Sequence, residues 1–181
     1  ARHESLRTIY PEDNGLPRQQ ILDSFTPRLT TERLDAADLA AAMTEKSKLG
    51  FDILFEPPLR AHLFVLGPDE SVLFLQLHHI AADGWSLMPL ARDLSLAYAA
   101  RSRGTVPDMP PLPAQYADYA SYQREMLGTE RDPGSVVSRQ LAFWSETLKG
   151  LPDQIVLPTD RPRPAVASYR GDRTSIVLDA N

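Results

Sequence analysis

Two adjacent histidines, followed by an aspartate and a glycine, are the residues best suited to chemistry in this sequence. His78 and His79 come directly after an apolar run, and Asp83 and Gly84 follow after three further residues. An imidazole is largely neutral near pH 7, so a histidine here could orient or deprotonate a nucleophile. Successive side chains on a strand point to opposite faces, so both histidines reach one substrate only if the strand has already bent. We therefore expect one histidine to be catalytic and the other to be structural.

Metal binding is the competing chemistry for this segment. The strand geometry opposes a shared metal ion, and the sequence has no HxxxH or HExxH spacing on a helix. The chain has no cysteine, which excludes thiolate zinc sites, disulfides and a cysteine nucleophile. A polar cap at a strand end remains the plain structural alternative for the histidine pair.

The elements next to the pair place it at the end of a strand. Apolar runs at Leu59–Leu66 and Ser71–Leu77 flank a four-residue turn cluster and predict antiparallel neighbours. The second run hardly alternates, which predicts a central strand covered on both faces. A helix should follow Gly84, with one face formed by Leu87, Leu90, Ala91, Leu94 and Tyr98.

Turn and capping residues divide the remaining chain into short elements. Asn14-Gly15 predicts a hairpin between Arg7–Tyr10 and Gln19–Phe25. Helical patterns and breakers predict three more helices and a final strand, at Asp35–Gly50, about Ala114–Leu127, about Ser135–Lys149 and Thr174–Val177. The aromatic residues of the later helices have spacings typical of helix contacts; they are Tyr116, Tyr119, Tyr122 and Trp144.

Composition limits the class of protein. The 181 residues suffice for one ordinary domain, and a hydrophobic content of 43% with 24% charged residues is typical of globular chains. The formal net charge of −5 argues against a nucleic-acid groove or an anionic-membrane footprint. No apolar run approaches the roughly 20 residues of a membrane helix, so we expect a cytoplasmic protein without nucleic-acid or membrane partners. The charged opening lacks a methionine and predicts a fragment.

Four stretches in order resemble one family. The segment from His78 to Gly84 fits HHxxxDG, and Arg2–Thr8 resembles RHExLRT. Tyr116–Ala120 resembles a YxDFA-type motif, and Leu157–Pro164 is similar to a linker carrying LPTDxPRP. Together they resemble condensation domains of nonribosomal peptide synthetases, relatives of chloramphenicol acetyltransferase. Leu77 and Ala82 depart mildly from the frequent Met and Ser of the family pattern, and the functional positions are intact.

The resemblance implies an α/β fold, an α+β two-layer sandwich with helices packed on a mixed, mostly antiparallel sheet. It covers only the front part of such a domain, which consists of two acetyltransferase-like halves around a tunnel. Residues 1–164 would form the N-terminal subdomain, incomplete at its own N-terminus. Residues 165–181 would begin the connection to the missing C-terminal subdomain.

The resemblance also implies the reaction: a carrier-bound aminoacyl amine attacks an upstream acyl or peptidyl thioester. His79 would orient or deprotonate the amine, and His78 would pack or hydrogen-bond in the opposite layer. Asp83 belongs to the site, but as a structural residue that pairs with Arg7 or, as a second candidate, with Arg2. Gly84 would offer its backbone N–H near the carbonyl.

No cofactor should bind directly, since the substrates would be held on 4'-phosphopantetheine of carrier proteins. The implied partners are upstream and downstream peptidyl carrier domains, an adjacent adenylation domain and the missing half of the domain. The pattern favours an L-configured donor, and the fragment alone should be inactive. Two alternatives stay open: a CoA-dependent acyltransferase of the same superfamily, and a non-catalytic docking module of an assembly line.

Overall fold

The computed structural model describes residues 2–168, 171 and 174–177. The chain divides into two compact units, one up to Thr129 and one from Glu130. In the first unit the strands are β1 (Thr8–Ile9), β2 (Glu12–Asp13), β3 (Leu16–Pro17), β4 (Gln20–Ile21), β5 (Leu29–Arg33), β6 (Leu59–Val65) and β7 (Ser71–Leu77). Its helices are α1 (Leu39–Ser47), α2 (Gly84–Ser102) and α3 (Tyr116–Leu127), with 3₁₀ turns at Glu4–Arg7 and Ala36–Asp38. The second unit contains α4 (Val136–Thr147).

The main sheet has the order β5-β6-β7, with β5 parallel and β7 antiparallel to β6. The predicted neighbours are confirmed, with Leu59 opposite Leu77 and Val65 opposite Ser71. The prediction that β7 is the central strand is wrong: among the described residues it has one partner, and Leu73 is 48% exposed. The central strand is β6, which carries the fully buried Phe64. Both runs are strongly apolar, so their composition does not show which one is central. The two strands differ in their number of neighbouring strands.

A buried polar chain joins the three strands to α1. The Gln76 amide donates to the Lys46 carbonyl (2.7 Å), which leaves Gln76 Oε1 to accept from His62 Nε2 (3.1 Å). His62 Nδ1 is then the acceptor for the Thr30 hydroxyl (2.6 Å). Every polar group of this chain therefore has a partner, as burial requires. These bonds fix the sheet whose last strand leads to the histidine pair.

The other predicted elements are largely confirmed. The first hairpin forms as β1 paired with β4, and it encloses β2 paired with β3 around Asn14-Gly15, both with positive φ. Three of the four strand pairings in the described residues are antiparallel, as expected for this fold class. Helices α1, α3 and α4 lie within the predicted ranges. The predicted strand at Thr174–Val177 is wrong, since these residues have no regular secondary structure.

The inward face of α2 differs from the prediction. Leu90, Asp93, Ala97 and Ala100 are its more buried residues, whereas Leu87 and Tyr98 are exposed. The buried face therefore contains a carboxylate, and most of the apolar face remains accessible. The expected helix contacts of the aromatic side chains are likewise wrong: Tyr116, Tyr119, Tyr122 and Trp144 are each at least half exposed.

The predicted subdomain limit between residues 164 and 165 stays a prediction. Within 165–181, residues 169, 170, 172, 173 and 178–181 lie outside the described part, and the others form no helix or strand. No helix in the described ranges combines the length and the apolar character needed to cross a membrane.

Candidate active site

The chain turns sharply where β7 ends, and the ring of His78 holds this turn. The His78 amide donates to the Pro58 carbonyl (3.1 Å), and the Ala81 amide donates to the His78 carbonyl (3.0 Å). His78 Nδ1 accepts from the Ile80 amide (3.0 Å), and the ring packs edge-on against Phe51, with centroids 6.0 Å apart. The His78 ring is thus held in place by a hydrogen bond at Nδ1 and by packing against Phe51.

His79 lies in the same turn but its side chain is exposed. Among the described residues no side chain or backbone group forms a hydrogen bond with its ring. His79 borders a small cleft of about 120 Å³, whose other walls are Ser5, the residues from Ile80 to Asp83, Ser86 and Tyr116. The exposed ring therefore has both nitrogens free of hydrogen bonds among the described residues.

A second cavity of about 340 Å³ adjoins this cleft. The two share Ser5, Ala81, Ala82 and Ser86, and the larger one extends along α2 to Trp85 and Leu90. Trp85 is 90% exposed, so the outer wall is open.

Asp83 begins α2 as its N-cap. Its carboxylate accepts from the Ser86 amide (3.0 Å) and hydroxyl (2.7 Å), and the Asp83 amide donates to the Ser86 hydroxyl (3.1 Å). This reciprocal capping box satisfies otherwise unpaired donors at the helix start. The hydrogen bonds from Ser86 lower the pKa of Asp83.

The ion pair predicted between Asp83 and Arg7 or Arg2 does not form. Arg7 Nη2 instead contacts Glu4 Oε1 (3.0 Å), and Arg7 also donates to the Leu22 carbonyl. Asp83 is exposed, and Ser86 together with the positive end of the helix dipole already stabilises its charge. The carboxylate that needs a cation is a more buried one.

That buried carboxylate is Asp93, which is 8% exposed in the middle of α2. Its Oδ2 receives Arg2 Nε (2.7 Å) and His3 Nε2 (2.8 Å). Hydrogen bonds from His3 and from Arg2 lower the pKa of Asp93, against the opposing effect of burial. Asp93 was not among the predicted site residues, although an acidic residue three positions after Leu90 lies on the same side of the helix and was a readable signal. The contacts of Arg2 and His3 with Asp93 attach the N-terminal segment, which includes Ser5, to α2.

Gly84 is the first residue of α2, and an added Cβ would meet no atom within 4 Å. No crowding in the described residues requires a glycine here. The space next to Gly84, at the start of the helix, is open. The described residues hold no group of three or more His, Cys, Asp or Glu side chains arranged for a metal ion.

The comparisons with known proteins identify the family. The family model named Condensation domain matches residues 1–181. The chain belongs to the condensation domain family. It is 54% identical over 179 residues to a probable non-canonical nonribosomal peptide synthetase, CymA, of Salinispora arenicola, covering 99% of this chain and 2% of that protein. It is also 54% identical over 173 residues to a dimodular nonribosomal peptide synthase of Bacillus subtilis, covering 94% of this chain and 7% of that protein.

Solved structures agree with the condensation domain fold. The X-domain from teicoplanin biosynthesis, solved in complex with OxyB, superposes with a TM-score of 0.86 and 41% identity. The match covers 94% of this chain and 37% of that one. The epimerization domain from tyrocidine synthetase B shares the fold, with a TM-score of 0.69 at 22% identity, over 89% of this chain and 36% of that one. The condensation domain described here thus spans little more than a third of these solved chains.

Replacing the cap tests the structural role of Asp83. Asp83→Ala should lower the thermal unfolding midpoint of the 181-residue chain at pH 7, because the Ser86 donors lose their acceptor. The folded pKa lies below the ordinary 3.8, so the ionised carboxylate stabilises the fold above that pH and the contribution is lost as the pH falls through the folded pKa. The difference from wild type should therefore shrink as the pH falls below 3.8 and through the lowered pKa of Asp83.

The matched control is Asp38→Ala, because Asp38 is the N-cap of α1 but makes no side-chain cap hydrogen bond. It should leave the midpoint nearly unchanged. Equal losses in the two variants, or a difference for Asp83→Ala that grows in acid, would contradict the capping role.

Proposed function

We propose that this condensation domain forms peptide bonds between carrier-bound substrates in nonribosomal peptide synthesis. The single observation that carries the proposal is the division of labour after β7: the His78 ring holds the turn, the Asp83 carboxylate caps the helix that follows, and the His79 ring is left exposed beside a cleft. The relatives named as nonribosomal peptide synthetases support this reaction class.

In the proposed reaction an α-amino group on the downstream carrier attacks the thioester carbonyl on the upstream carrier. A C–N bond forms, the C–S bond breaks, and the proton lost by the amine ends on the departing sulfur, giving an amide and a free thiol. The catalyst must hold the amine neutral and aimed at the carbonyl. His79 performs this task, either by accepting the amine proton or by orienting the amine. A free α-amine has a pKa of about 8 and is partly neutral near pH 7, so orientation can suffice.

The remaining site residues support His79. His78 holds the turn and Asp83 caps α2, while Arg2 pairs with Asp93 and Arg7 with Glu4 around the N-terminal segment. Gly84 offers its backbone N–H to the developing oxyanion, where donors are most effective. No cofactor binds the chain directly, and the substrates arrive on 4'-phosphopantetheine of upstream and downstream carrier domains. An adenylation domain loads the carrier, in the cytoplasm. The preference for an L-configured donor stays a prediction.

A docking module is the second candidate function. The observation that favours it is the 41% identity to an X-domain that was solved as a complex with the protein OxyB. In this function the exposed apolar side chains of α2 would bind a partner and His79 would be dispensable. The names of the relatives described above favour carrier-dependent chemistry over a CoA-dependent acyltransferase.

Substitution of His79 separates the two candidates. In the full synthetase that contains this chain, His79→Ala should lower peptide-bond formation by at least about 100-fold while carrier loading continues. The unfolding midpoint should stay unchanged, because the ring makes no hydrogen bond among the described residues.

His78→Ala is the matched control, since it removes a neighbouring imidazole that holds the turn. It should lower the unfolding midpoint together with the rate. Full condensation activity of His79→Ala would refute the catalytic proposal and leave the docking function.

We further propose that the 181 residues alone are inactive, because they correspond to 37% of the solved X-domain chain. The isolated chain mixed with two loaded carrier proteins should release no dipeptide above a no-enzyme control, as followed by mass spectrometry. Peptide formation that disappears on His79→Ala would contradict this.

A further inference from the structure

The side chain of Gln115 connects two segments that lie far apart in the sequence. Its Oε1 accepts from the Glu4 amide (3.1 Å), and its Nε2 donates to the Arg2 carbonyl (3.1 Å). We call this pair of hydrogen bonds the Gln115 clasp. Gln115 is also the N-cap residue of α3, where its own amide donates to the Asp118 carboxylate (2.8 Å). The start of α3 is therefore tied directly to the N-terminal segment.

Each end of the clasp lies next to a wall of the His79 cleft. Ser5 follows Glu4 in the chain, and Tyr116 follows Gln115; both line the cleft together with His79. The clasp is therefore a direct link between these two walls, one residue away from each. No hydrogen bond among the described residues fixes the His79 ring, so the placement of a substrate beside it depends on the other residues that line the cleft.

We propose that Gln115 is a positioning residue for the candidate active site, acting by fixing Ser5 and Tyr116, which line the same cleft as His79. This inference deepens the proposed function and rests on it. Gln115 does not border the cleft, so it acts through the two wall residues and makes no contact with the reacting atoms.

The two hydrogen bonds of the clasp require a primary amide on a side chain of this length. A carboxamide presents one acceptor and one donor, which match the free amide of Glu4 and the free carbonyl of Arg2. Glutamate could only accept, and a thioether of similar length could do neither effectively. The partner segment is itself rigid, because Arg2 and His3 are held by Asp93 on α2. The clasp thus joins α3 to a fixed support.

Two variants separate the hydrogen bonds from packing. Gln115→Ala removes both the bonds and the volume, whereas Gln115→Met keeps a side chain of similar length without the amide. Both are measured in the full synthetase, with Gln123→Ala as the matched control. Gln123 lies in the same helix, and within the described ranges its side chain donates only to the Tyr119 hydroxyl, at 3.3 Å.

We expect both Gln115 variants to lower kcat for peptide-bond formation about tenfold, equal to about 1.4 kcal/mol in the barrier. The KM for the loaded acceptor carrier should stay within about twofold, since substrate binding is not the step affected. Both Gln115 variants lose the two hydrogen bonds of the clasp, so their unfolding midpoint should fall below that of Gln123→Ala, and kcat is measured at a temperature at which every variant is folded. A merely structural residue would change the midpoint and leave kcat of the folded enzyme intact.

The proposal is overturned if Gln115→Met restores wild-type kcat, if both variants behave like Gln123→Ala, or if activity falls only in proportion to unfolding. His79→Ala is assayed in parallel to keep the two claims apart. Retained activity of His79→Ala refutes the proposed function, whereas the Gln115 variants alone decide the clasp.

Discussion

The hydrogen bond from the Ile80 amide to the ring of His78 is the interaction on which the candidate site depends. Two consecutive histidines at a strand end cannot both face the same substrate while the strand continues. The chain ends β7 at Leu77 and uses the first ring to close the turn that follows. The second ring is thereby exposed and has no hydrogen-bond partner in the part of the chain that the structure describes. One imidazole thus provides the support for the other.

The two carboxylates at the start and in the middle of α2 are stabilised by different partners. The exposed carboxylate, Asp83, is stabilised locally by Ser86 and by the start of α2, so it needs no arginine. The buried carboxylate, Asp93, recruits Arg2 and His3 from the N-terminal segment, more than 80 residues away in the sequence. A buried charge without a partner is strongly destabilising, which explains why the cation goes to Asp93. The result is that the N-terminal segment becomes a wall of the cavity beside His79.

The parts of the fold that the sequence predicted correctly are those with local signals. The turn residues between β6 and β7 fix that hairpin, and the apolar spacing after Gly84 predicted the helix that begins there as α2. The errors concern non-local choices. Whether β7 is central depends on how many strands flank it, and an apolar run is compatible with either answer.

The candidate site shows the same division. HHxxxDG points to His79 because the motif is local, and the catalytic role of His79 stays a prediction. The expected pairing of Asp83 with an arginine failed, because it required knowledge of which carboxylate is buried. Gln115 gave no signal at all, since a polar residue before a helix is common and its partners, Arg2 and Glu4, are more than 100 residues away. Contacts between residues this far apart in the sequence cannot be predicted from residue patterns or capping rules.

The most direct test of this division of labour is the reactivity of the individual histidines in the 181-residue chain. Diethyl pyrocarbonate modifies accessible imidazoles, and peptide mass spectrometry gives a separate rate for His62, His78 and His79. His79 should react fastest, His78 more slowly because its Nδ1 is engaged, and His62 slowest because both its nitrogens are bonded in the sheet. A His78 rate equal to or above that of His79, or protection of His79 to the level of His62, would contradict the account.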